Sequence, residues 1–143
     1  GVVGQDATTI VWRSTKYPTI GSPIPIASSR EIQLIVAEAD LNGAGTQAEA
    51  VAIINALHAK AALPAYDPAA AGAKSVKDQL IEERSRELFL EGHRLWDMIR
   101  FSLPLTPPAG AAYPPKAGGT YGSQLCFPLP DVERNNNPTL RGS

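Results

Sequence analysis

Charged side chains crowd one stretch of this sequence, LIEERSRELFLEGHRLWDMIRF, from Leu80 to Phe101. Adjacent carboxylates, Glu82 and Glu83, are the residue types of a general acid and base. On a helix, however, sequence neighbours project about 100° apart, so this pair cannot flank one scissile bond. Steps of three and four residues connect Glu82 and Glu83 with Arg86, Glu91 with Arg94, Arg94 with Asp97, and Asp97 with Arg100. These pairs are opposite in sign, whereas Glu83 with Glu87 repels, and the predominance of opposite signs favours a structural ladder over a catalytic set. The arginines of such a ladder fix packing through forked contacts to carboxylates or carbonyls.

The remaining chemistry-bearing residues are scattered. His58 and His93 have no second ligand at metal-binding spacing and read as helix-surface or packing residues. Cys126 is the single cysteine, so it has no disulfide partner within the chain and reads as a small buried hydrophobe. Trp12 and Trp96 are the residue types on which a sugar ring stacks. Trp96 falls at core spacing on the charged helix, which leaves Trp12 as the one candidate ligand-binding residue. No nucleophile, catalytic base, metal-ligand set or cofactor motif is expected, and a hydrolase has no support. NNNPT carries proline where a glycosylation acceptor forbids it, and reads as a turn.

Composition bounds the partners. Thirteen Lys and Arg against fourteen Asp and Glu give a formal net charge of -1, so no field draws in nucleic acid or an anionic membrane. No apolar run approaches the roughly 18 residues of a membrane span. With 143 residues, 43% of them hydrophobic, the chain can bury one modest core. The start, GVVGQDATTI, carries no leader pattern and reads as the end of a processed or truncated product.

Three helices must position the charged stretch. Residues 1–27 read as extended chain with TIVW as a short strand. Ser28 and Glu31 have capping-box spacing ahead of an apolar stripe of Ile32, Ile35, Val36 and Ala39, and Asn42-Gly43 ends that helix. Thr46 and Glu49 open a second helix with Ala50, Ile53, Ile54, Leu57 and Ala61 on its apolar face, and Pro64 lies beyond its end. The short link predicts a helix hairpin of about 35 residues, the length of a tetratricopeptide unit. A third helix runs from about Ser75 to Phe101, with Ile81, Leu88, Leu95, Trp96 and Ile99 as its stripe. Gly92 within it marks a place where a neighbour packs close to the backbone. Residues 28–101 thus form the three-helix region. Residues 102–143, rich in proline and glycine, form an irregular segment of the same domain, with QLCFPLP its one anchored piece.

The helix ERSRELFLEGHRLWDMIRF resembles the signature helix of the SusD/RagB family of outer-membrane nutrient-binding lipoproteins, whose pattern is E-R, then E-L, then E-G-x-R-x-x-D-x-x-R. Lys16-Tyr17, PIASSREIQLIVAEADLNGAG, AVAIINALHAKAAL and the closing FPLPDVERNNNPTL are similar to further family elements in the same order. His58 stands where the family pattern favours arginine, and Cys126 where it favours an aliphatic or aromatic residue. The resemblance implies a mainly α fold of tetratricopeptide-like helix pairs with a long irregular C-terminal segment, of which this chain is the C-terminal part. It implies an architectural role for Arg84, Glu87, Gly92, Arg94, Asp97 and Arg100.

It further implies a non-catalytic, cofactor-free receptor for a glycan or nutrient at the cell outer membrane, surface-exposed or periplasm-facing. Its partners would be a TonB-dependent barrel transporter and, in the full-length protein, an oligosaccharide. The competing reading is a short helical scaffold that holds protein subunits together without a ligand.

Overall fold

The computed structural model describes residues 2–12, 14–113, 118–126 and 129–139, with the side chain of Arg134 excepted. The chain forms two compact units, Gly1–Glu87 and Leu88–Ser143, and their boundary falls within the third helix predicted from periodicity.

The first unit opens with a two-stranded antiparallel ribbon, β1 (Val2–Val3) and β2 (Ile10–Val11), in which Val2 faces Val11 and Val3 faces Ile10. Asp6 organises its turn. The Asp6 carboxylate accepts from the Thr9 hydroxyl and from the backbone N–H of Thr9 (2.9 Å) and Thr8 (3.2 Å). These donors favour the charged form and lower its pKa to about 2.

Helix α1 (Ser29–Ala39) begins where the Ser28 hydroxyl accepts from Glu31 N at 3.1 Å. It runs into a wider π-helical segment, Asp40–Ala44, within which Gly43 leaves helical geometry with φ of 103°. A Cβ at Gly45 would meet the carboxylate ends of Asp40 and Glu49, which would have to shift to admit it. Helix α2 (Gln47–Lys60) carries a complete capping box: Glu49 N donates to the Thr46 hydroxyl at 3.2 Å, and Thr46 N donates to Glu49 Oε2 at 2.7 Å. Donation by the Thr46 hydroxyl, and then by its N–H, holds the Glu49 carboxyl below its ordinary range. Helix α3 (Val76–Glu87) opens on Ser75, whose hydroxyl accepts from Asp78 N at 3.1 Å.

The three helices pack on one another as a tetratricopeptide-like layer. Leu34 and Ala37 of α1, Ala50, Ile54 and Leu57 of α2, and Val76 and Leu80 of α3 form the core. Each of the larger side chains contributes about 1.5–3 kcal/mol by leaving water. The stripe predicted for α1 lies on its other side, with Ile32 58% exposed and Ile35 52% exposed. Apolar residues run nearly all round α1, so the neighbouring helices select the buried face. Ala61, predicted on the face of α2, is its exposed C-cap.

In the second unit the predicted continuous helix gives way to a turn at residues 88–93 and a short helix, α4 (Arg94–Arg100). Leu90 (φ of 62°) and Gly92 (φ of 81°) adopt left-handed conformations that end the helical hydrogen-bond ladder. A Cβ at Gly92 would meet open space, so among the described residues no neighbour packs against it and this glycine serves backbone conformation. Trp96, expected in the core, is 69% exposed, while Asp97 and Met98 take the buried positions of α4.

Tyr113 and Tyr121, in stretches expected to lack fixed contacts, meet edge to face with ring centroids 4.6 Å apart across the Ala112–Thr120 bridge. Asp131–Asn136 forms α5, a short helix within the segment read as irregular, and Pro138-Thr139 turns after it. Cys126 is exposed rather than buried. Phe127 and Pro128, the centre of QLCFPLP, lie outside the described residues.

Candidate functional site

The C-terminal half of α3 presents Glu83 and Glu87 four residues apart, one turn above the other, to a cleft of about 260 Å³. Its walls are Lys16 from the N-terminal segment, Arg30 from α1, Ala61 and Leu63 from the connection after α2, and Glu83, Arg86 and Glu87 from α3. All of them belong to the first unit.

Each acid here has defined partners. The carboxylate of Glu83 is buried, and its Oε1 accepts from Gln79 Nε2 at 2.8 Å, lies 2.8 Å from His58 Nε2, and has Arg86 Nη1 at 3.6 Å. Glu87 Oε2 meets Arg30 Nε at 3.2 Å. Glu82, on the outer side, pairs with Lys74 and with Arg86. Lys16 Nζ donates to the backbone carbonyl of Glu87 at 3.0 Å, placing a cation on the C-terminal end of α3, where unsatisfied carbonyls and the helix dipole favour it. The cleft is thus where the N-terminal segment, α1, α2 and α3 are joined by charge.

His58 supplies the α2 side of this junction. It is buried, with Nε2 at Glu83 and Nδ1 2.6 Å from the carbonyl oxygen of Pro64. Burial alone would lower its pKa. The hydrogen bonds to Glu83 and Pro64 and the negative charge of Glu83 outweigh burial and the nearby Arg86, and the imidazole ends above its ordinary 6.5. Asn55, one turn earlier, ties down the same connection: its Nδ2 donates to Tyr66 O at 3.1 Å, and its Oδ1 accepts from Tyr66 N at 2.7 Å. The Tyr66 hydroxyl donates to Lys74 O at 2.8 Å, so Tyr66 too is held in place.

The sequence-derived site residues divide between the two units. Arg84 is buried on α3, and Glu87 lines the cleft. Gly92 lies in the turn before α4. Arg94 stands exposed at the first position of α4, and the buried Asp97 accepts from Arg100 Nη2 at 2.9 Å. The pairs Glu82–Arg86, Glu83–Arg86 and Asp97–Arg100 form as their spacing implies. Arg100 also stacks on the Phe101 ring, 4.2 Å from its centroid. Trp12 follows β2, is 82% exposed, and does not line the cleft.

Sequence reasoning missed His58 and Gln79 as members of the charged cluster, and Asn55 as the tie to the connection beside it. A histidine on an otherwise apolar helix face was the available signal, but its partner lies 25 residues away and is reached only through the tertiary fold.

The family model described as the SusD family matches residues 30–141, well over half of the chain. The chain belongs to the SusD family. The match spans α1 through α5, and with it Arg30, His58, Glu83 and Glu87 of the cleft. The SusD family is a helical, tetratricopeptide-like binding family, which suggests glycan or nutrient binding, and its members are typically associated with the outer membrane. No curated protein and no solved structure matches the chain. Among the described residues, no helix is long and apolar enough to cross a membrane.

Proposed function

We propose that this chain is the C-terminal portion of a non-catalytic surface receptor for a glycan or other nutrient, working with a TonB-dependent transporter at the outer membrane. The family match across the three-helix layer carries this reading. The role proposed for Arg84, Glu87, Gly92, Arg94, Asp97 and Arg100 is architectural: they hold helix ends and turns in place and do not touch the ligand. The cleft supports such a role, because its carboxylates are engaged by Arg30, His58, Gln79 and Arg86.

Sugar affinity depends on several aromatic and polar groups fixed in one concave surface. Trp12 on an exposed strand end falls short of that, so the proposed ligand surface needs further parts of the receptor. Titration calorimetry of the 143-residue chain against a panel of oligosaccharides should give nothing tighter than millimolar. The full receptor should bind and co-purify with a barrel transporter from solubilised outer membranes. Micromolar binding by the chain alone, lost on Trp12→Ala, would contradict this reading and make the first ribbon the ligand site.

The exposed apolar side of α1, with Ile32, Ile35 and Val36, favours a second reading, a scaffold for protein subunits. A full receptor that assembles with protein partners but binds no member of the glycan panel would select it.

A further inference from the structure

The two ring nitrogens of His58 face two acceptors. Nδ1 is 2.6 Å from the carbonyl oxygen of Pro64, and Nε2 is 2.8 Å from Oε1 of Glu83. A carbonyl oxygen has no proton to give, so the first contact requires a proton on Nδ1. A neutral imidazole then has only a lone pair on Nε2. The second contact is a hydrogen bond only if one more proton lies between the groups, either on Nε2 beside a carboxylate or on the Glu83 carboxyl. Once that proton is gone, a lone pair and a carboxylate oxygen face each other at hydrogen-bond distance in a buried site. One of the two contacts must then open.

What opens is part of the cleft wall. His58 lies in the last turn of α2, Pro64 in the connection that follows, and Glu83 on α3. The same connection is closed by Leu63 N donating to His58 O at 2.9 Å, and its residues Ala61 and Leu63 line the cleft. Other charged groups around the pair are Arg86 and Glu87 on α3, Arg30 on α1, and Lys16 before α1. The 61–66 connection itself contributes the Pro64 carbonyl.

We propose that His58 and Glu83 form a proton-operated latch, which holds the 61–66 connection along the cleft wall while the pair keeps its shared proton and releases it when that proton is lost. The direction follows from linkage. The folded-state pKa of His58 lies above its ordinary value, so the latch contributes fully below about pH 6.5 and is lost as pH rises through the folded-state value. The cleft wall is therefore closed in mildly acidic medium and loosened in alkaline medium.

The latch can be tested on the intact chain by nitrogen-15 NMR of the histidine rings and amide hydrogen exchange, between about pH 5 and 9, the range in which histidine changes charge. At the acid end the His58 ring should carry protons on both nitrogens. As pH rises it should lose one proton and keep the other on Nε2 against Glu83, so that the Nδ1 contact to the Pro64 carbonyl, which holds the connection, opens. Exchange at the Leu63 and Tyr66 amides, corrected for intrinsic base catalysis, should rise several-fold over the same interval.

In Glu83→Gln the new amide can donate to a neutral Nε2 and still accept from Gln79. That variant should keep a neutral ring with Nδ1–H and show a flat corrected exchange profile. If Glu83→Gln does not fold, the wild-type signals decide alone. Corrected exchange at Leu63 and Tyr66 that ignores the titration overturns the latch, as does a wild-type His58 ring that stays neutral throughout while the Glu83 carboxyl binds no proton over the same interval.

Discussion

The two units hold themselves together differently. In Gly1–Glu87, polar contacts join residues far apart in sequence: Lys16 reaches the carbonyl of Glu87, 71 residues on, Arg30 reaches the carboxylate of Glu87, and His58 reaches Glu83. They surround a core supplied by three helices. In Leu88–Ser143, the described contacts are largely local. Arg100 pairs with Asp97 three residues back, Asn137 Nδ2 donates to Glu133 four residues back, and two tyrosines pack across one bridge. Long-range contacts close large loops and make elements cooperative, whereas local ones shape turns and helix ends and leave each piece to itself. The charged stretch spans both regimes, and its N-terminal half carries the long-range contacts.

The largest expected effect is in the first unit. Leu57→Ala or Leu80→Ala should cost about 2–5 kcal/mol in denaturant unfolding, because both side chains are fully buried. Trp96→Ala, in the second unit, should change stability by less than about 0.5 kcal/mol despite the larger side chain. A loss at Trp96 as large as that at Leu57 would break the contrast.

Gly92→Ala sharpens the comparison through its sign. An alanine in the left-handed conformation should destabilise the protein by about 1 kcal/mol. If Glu83 to Arg100 formed one continuous helix, the same change would stabilise it by a similar amount. Thermal melts of the two proteins distinguish these outcomes.

These cases show what the sequence made legible. Both ends of α2 were readable, because Thr46 and Glu49 cap it through contacts three residues apart and Pro64 follows its end. The existence of α1 was readable as well, but its buried side was not. Ile32, Ile35 and Val36 keep a helical period as faithfully as Leu34 and Ala37, and only the packing of α2 and α3 chooses between them. The break at Gly92 was hidden for a related reason: charges and apolar residues continue their period across a turn that two left-handed residues create. The His58–Glu83 junction was invisible because it exists only after the helix layer forms.

Smaller effects probe individual links. Thr46→Ala should cost about 1 kcal/mol through loss of its cap, measured by denaturant unfolding. A double-mutant cycle on Arg30 and Glu87 should give a coupling of about 0.5 kcal/mol, since Arg30 is half exposed. That coupling should shrink in high salt. A coupling that is unchanged by salt would place the pair in a drier environment than the one described.

The central claim is that the acids of the cleft hold the helix layer together, with ligand capture left to other surfaces. Native-state hydrogen exchange of the wild type and Glu83→Ala tests it most directly. Removing one partner of a buried pair costs about 3 kcal/mol or more. Protection should therefore fall together across α1, α2 and α3, while residues 102–113 exchange as before. Unchanged protection in the three helices, with ligand binding by the full receptor abolished, would contradict the claim and make Glu83 a binding residue.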